Sequence, residues 1–116
     1  MSKVEHALRL LIVESQLEQA EFLISHIRNG GVIVRPEQAD ELEEIDQHIE
    51  KNQVDIILIN AQDTVISIED LKTSIKKSGK DIPIIAVVEQ LSTELYLSLI
   101  GMGVHDVILR EQAKQI

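Results

Sequence analysis

Few residues of this sequence stand where their types and spacing could do chemistry. His6, His26, His48 and His105 recur at no metal-ligand spacing and read as surface or packing residues. Cysteine is absent, which excludes thiolate metal sites and disulfides. No nucleophile and base are paired, and no glycine-rich phosphate loop occurs. What remains are polar residues that close apolar runs: Glu14 and Ser15 after Leu8 to Val13, and Asn60 with Ala61 after Val54 to Ile59. A carboxylate, a hydroxyl and an amide are hydrogen-bonding groups, suited to recognising a ligand or tying down a loop. Taken one at a time, each also fits a plain structural role: a strand-end acid, or a polar residue satisfying a backbone.

Five apolar runs rich in β-branched residues must position these groups: Leu8 to Val13, Val32 to Val34, Val54 to Ile59, Ile82 to Val88 and Val107 to Leu109. Several are apolar at successive positions, as strands covered on both faces of a parallel sheet must be. Helix-period segments alternate with them. The first carries Leu17, Ala20, Ile24 and Ile27 on one stripe with Leu23 beside it. Ser15 followed by Glu18 fits a capping box at its start, and Asn29-Gly30-Gly31 supplies a left-handed stop. A second helix is expected over Gln38 to Lys51, with Leu42, Ile45 and Ile49 inward and Glu43, Glu44 and Glu50 on a solvated face. A third is expected over Ser67 to Lys77, with Ile68, Leu71 and Ile75 inward, Ser67 as cap and Gly79 as stop. A fourth spans Ser92 to Ile100 and stops at Gly101-Met102-Gly103.

Right-handed crossovers then predict an α/β fold, a doubly wound parallel sheet of five strands in the order 2-1-3-4-5. Ligands of such a sheet sit outside the C-terminal ends of strands one and three, where Glu14-Ser15 and Asn60-Ala61 fall.

The chain of 116 residues is expected to form a single domain over 1–116, with about two thirds of its unfolded surface buried. Twenty acidic residues against eleven basic ones give a net charge of -9, which disfavours nucleic acid and anionic membranes. One Tyr, one Phe and no Trp leave no platform for stacking bases. The N-terminal apolar run is short and interrupted by charge, unlike a signal peptide or a membrane span of roughly 20 apolar residues. The cytoplasm is the expected compartment.

LRLLIVES, DIILIN, IPIIAVVE and GVHDVILRE, at these separations, resemble the signature strands of response-regulator receiver domains, the CheY-like family, over almost the whole chain. In that family an acid pair closes strand one and a phosphoacceptor Asp closes strand three, together holding magnesium. A Thr or Ser ends strand four and a Lys ends strand five. The resemblance puts the acid pair at Glu14 and Ser15, the acceptor at Asn60, the hydroxyl at Val88 and the lysine at Arg110. The amide of Asn60 cannot form an acyl phosphate, and one acid is a poor start for a magnesium site. Val88 has no hydroxyl, and Val107, where the family often keeps a mobile aromatic, has nothing to swing. Arg110 keeps the charge in a planar fork and is expected to pair with Glu14.

The resemblance therefore implies a degenerate receiver, or pseudo-receiver, that is not an enzyme and uses neither metal nor cofactor. RLLI at 9–12, QAE at 19–21, RNG at 28–30, Arg35-Pro36 and Val88-Glu89 are further similar to the degenerate receiver that opens FimX-type proteins, which continue into PAS, GGDEF and EAL domains. This implies cyclic-di-GMP signalling in bacteria. The implied partners are another protein, a C-terminal signalling domain or a second copy of the chain. The alternative is a flavodoxin-like sensor with a small ligand in the strand-one and strand-three crevice. Receivers usually end in a fifth helix, whereas Gln112 to Ile116 suffice for little more than about one turn, so that helix is expected to be truncated or missing and to leave a sheet face for a partner.

Overall fold

The computed structural model describes residues 7–62 and 66–111. The elements alternate as β1 (Leu8–Val13), α1 (Leu17–Asn29), β2 (Val34–Ala39), α2 (Leu42–Lys51), β3 (Ile56–Asn60), α3 (Ile68–Ser78), β4 (Ile84–Val88), α4 (Thr93–Gly101) and β5 (Asp106–Leu109). All strand pairs are parallel and the order is β2-β1-β3-β4-β5, as expected from the alternation and from crossover handedness. The expected truncation of a fifth helix concerns residues outside those described.

Continuous apolar strands feed two cores, one on each side of the sheet, because successive side chains point to opposite faces. Leu11, Val13, Ile57, Ile59, Ala86, Val88 and Val107 meet Ile45 and Ile49 of α2, Leu71 of α3 and Leu99 of α4. Leu10, Ile12, Leu58 and Val87 meet Ala20, Leu23 and Ile27 of α1. Each Leu or Ile so buried contributes about 1.5–3 kcal/mol of transfer free energy, and this two-sided burial is what holds the strand ends in place.

Several local expectations are corrected. Strand two is not Val32 to Val34 but Val34–Ala39, so α2 begins at Leu42 rather than Gln38. As an edge strand bonded to β1 alone it alternates exposed and sheltered positions, and it tolerates Pro36 because no second neighbour needs that N–H. Ser15 and Glu18 do not form a capping box: the N-cap is Gln16, whose side chain makes no cap bond, and its backbone N–H is already taken by the Glu14 carboxylate. Leu17 and Leu42, each the first residue of its helix, are exposed rather than inward. Ile24 and Ile75 are half-buried at the rims of their cores. The left-handed residue after α1 is Gly31, with φ of +94°.

The third helix starts and stops as expected. Ser67 Oγ accepts from Asp70 N–H, Asp70 returns the bond to Ser67 N–H, and Gly79 ends the helix in the left-handed region. Ser92 caps α4 by accepting from Leu95 N–H.

Candidate functional site

The C-terminal ends of β1 and β3 are adjacent, with Val13 in register with Ile59. This brings Glu14, one residue past β1, beside Asn60, the last residue of β3. Asn60 Nδ2 donates to Glu14 Oε1 at 3.0 Å, while Gln16 N–H donates to the other carboxylate oxygen at 3.2 Å. Gln38 Nε2 adds a bond to the Glu14 carbonyl at 2.8 Å, which ties the end of β2 to the same corner. Glu14 is only 1% exposed, so these bonds replace nearly all of its water. It is not the half-solvated acid that its strand-end position alone would allow.

On the far side of the site β4 and β5 run in register, Val88 opposite Leu109, so the next residues along, Glu89 and Arg110, face one another. Arg110 Nε donates to Glu89 Oε1 at 2.6 Å, and Arg110 Nη1 stands 3.8 Å from Glu14 Oε1. The expected pairing with Glu14 is thus present as the longer of two contacts. The shorter contact is to Glu89, which carries no chemical signal in the sequence; the strand register is what gives it a role. Arg110 is 8% exposed, and its Nη1 makes no hydrogen bond among the described residues.

Gln62, also missed in the sequence, closes the circuit. Its backbone N–H donates to Asn60 Oδ1 at 3.0 Å, and its side-chain oxygen accepts from Glu89 N–H at 3.0 Å. Glu14, Asn60, Gln62, Glu89 and Arg110 therefore form a ring of alternating donors and acceptors around the strand ends. Ser15 lies at the mouth and is exposed. Asp40, after β2, also lines the crevice with Val13, Glu14, Ser15, Ile59, Asn60 and Ile66, and these residues leave no room between them for a water molecule.

Val88 and Val107 are both buried in the core that faces α2, α3 and α4. Val88 presents only methyl groups, and the short side chain of Val107 is packed inward.

Among the described residues, the donors at this site match poorly with magnesium, which takes oxygen ligands. Both Glu14 oxygens already accept hydrogen bonds, and the group nearest Oε1 is an N–H donor rather than an oxygen. Among the described residues no three His, Cys, Asp or Glu side chains converge as metal ligands. No helix among the described residues is long and apolar enough to cross a membrane.

No protein-family model matches the chain, and no curated protein does. Solved structures do. A response regulator from Hahella chejuensis superposes with a TM-score of 0.76 at 12% identity, over 94% of this chain and 89% of that one. A response regulator from Thermotoga maritima gives a TM-score of 0.72 at 12% identity, over 90% and 85%. A response regulator receiver protein from Pseudomonas putida gives a TM-score of 0.67 at 22% identity, over 91% and 88%. At such identities the likeness is one of architecture, and with the order 2-1-3-4-5 and four intervening helices the chain has the fold of the response-regulator receiver domains.

Proposed function

We propose that this chain is a pseudo-receiver, a signalling domain of the cytoplasm that is not an enzyme, carries out no phosphoryl chemistry, and acts by binding protein. The observation that carries this reading is the bond from Asn60 Nδ2 to Glu14 Oε1. An Asp at position 60 would set two carboxylates against each other and call for a cation between them. The amide instead makes the pair attractive without a metal, while removing the nucleophile that an acyl phosphate needs. Val88 and Val107 support the same reading, since neither offers a group that a phosphoryl could recruit. The alternative of a small-ligand sensor needs volume in the crevice between β1 and β3, and the tight packing there favours docking instead.

The docking surface we assign is α4. Leu99 is buried and Leu95 and Ile100 are half-buried, yet Tyr96 and Leu97 stand in solvent, with exposed Leu91 before the helix and Met102 after it. The occupant is a second copy of the chain. Residues 91–105 contain one acid, Glu94, whereas the chain as a whole carries -9, so two copies can meet here with little repulsion. The finer assignment to regulation of an attached or partner cyclic-di-GMP signalling domain rests on the sequence resemblance to FimX-type receivers.

The chemistry is tested by incubating the chain with magnesium and acetyl phosphate and following intact mass and amide exchange. The wild-type chain should gain no phosphoryl group. Asn60→Asp should label slowly and without a concerted exchange change in β4 and β5. A phosphorylated wild-type Asn60, or an efficiently labelled mutant with such a change, would overturn the reading.

A further inference from the structure

At the opposite end of the sheet from Asn60, where β4 and β5 begin, a groove of about 430 Å³ opens between α3 and the turn that joins α4 to β5. Its floor is apolar, built from Ile75, Ile82 and Ile84. Its rim carries two ammonium groups, Lys72 and Lys76 from successive turns of α3, with the His105 ring opposite. Glu69 is the one acid in the lining. Neither lysine is in an ion pair with any described residue, although the chain holds twenty acidic side chains.

Lys72 is also fixed in place. Its Nζ donates to the Met102 carbonyl at 2.9 Å, and its stem lies so close over Gly103 that a Cβ there would come within 3.0 Å of Nζ. An ammonium has three donors, so two stay available at the mouth of the groove. A lysine committed to a backbone carbonyl has surrendered part of its side-chain entropy before any ligand arrives.

We propose that this groove binds a small amphipathic anion, a carboxylate, sulfonate or phosphate carried on a compact apolar body. The volume falls within the range of small-molecule sites, about 300–1,000 Å³, in which a few placed polar groups orient a largely apolar ligand. Charge selects the class. In a chain of -9 an anion is repelled by most of the surface, and this pair of unpaired lysines over an isoleucine floor is a local exception. The inference goes beyond the pseudo-receiver reading and uses none of the residues around Asn60.

The probe is 8-anilinonaphthalene-1-sulfonate, titrated into the whole chain at low salt with fluorescence and amide chemical-shift mapping. Saturable one-site binding is expected, with shifts centred on Thr73, Ile75, Ile84 and His105. Lys72→Gln with Lys76→Gln, both at exposed positions that leave the core intact, should weaken the dye about tenfold, the worth of a charge-assisted contact. The uncharged N-phenyl-1-naphthylamine should bind the wild-type and the doubly substituted chain alike. Absence of saturable binding, shifts centred on Tyr96 and Leu97, or dye affinity indifferent to the two lysines would each overturn the proposal.

Discussion

Glu14 is 1% exposed, and what it costs to keep a carboxylate there depends on what its two oxygens touch. Asn60 and the Gln16 N–H supply hydrogen bonds, while Arg110 supplies the opposite charge from 3.8 Å. Removing one member of a buried pair leaves the other as an uncompensated charge, at a cost of about 3–5 kcal/mol. Arg110→Met should therefore lower the urea unfolding free energy by about 3 kcal/mol, near the bottom of that range because the Asn60 bond remains. Adding Glu14→Gln to it should recover part of the loss, since the stranded charge is then gone. A loss under about 0.5 kcal/mol in the single variant, the scale of a neutral surface change, would mean that the arginine is not engaged in the ring. Glu14, Asn60 and Arg110 were legible in the sequence because each closes an apolar run. Glu89 and Gln62 were not, because their part depends on which strand ends lie opposite each other and on a backbone N–H that carries no sequence signal.

The elements that hold this ring differ in how plainly their ends are written. In α3, Ser67 and Asp70 exchange hydrogen bonds and Gly79 has φ of +75° with nothing within 4 Å of where a Cβ would sit. Ser67→Ala should cost about 1 kcal/mol through the lost cap. Gly79→Ala should cost about 1 kcal/mol through backbone strain alone, because the space is open. Gly101, at the end of α4, has equally open surroundings and no positive φ, so Gly101→Ala should instead stabilise by about 0.4–1 kcal/mol. Chemical denaturation of the three variants checks the set, and equal effects at both glycines would refute the backbone explanation. The central strands and α3 could be read from apolar runs and turn residues, since burial on both faces dictates composition. β2 could not: with one neighbour and exposed alternate positions, VRPEQA resembles a loop leading into a helix. The start of α1 was misplaced for a related reason, as the residue that binds Gln16 N–H is Glu14, outside the usual capping spacing.

For the whole molecule, the decisive quantity is charge. Two copies at -9 each repel, and the repulsion is spread over the surface, whereas residues 91–105 with their single acid can approach closely. Burying Tyr96 and Leu97, now 39% and 62% exposed, against a second α4 would contribute on the order of 1–2 kcal/mol per side chain, enough for association only when the long-range repulsion is small. Salt separates the two terms, because screening lengths fall from about 10 Å at 0.1 M to about 3 Å at 1 M while apolar burial is hardly weakened. Sedimentation should accordingly show a monomer–dimer equilibrium that shifts toward dimer as sodium chloride is raised. Leu97→Glu places a new acid at the point of contact and should hold the chain monomeric at every salt concentration, with its unfolding free energy within about 0.5 kcal/mol of wild type, as an exposed position requires. A wild-type chain that stays monomeric throughout, or a dimer that dissolves as salt rises, would place the contact elsewhere: the first removes α4 as a self-docking surface, and the second would mean that opposite charges, not the apolar face of this helix, join the copies.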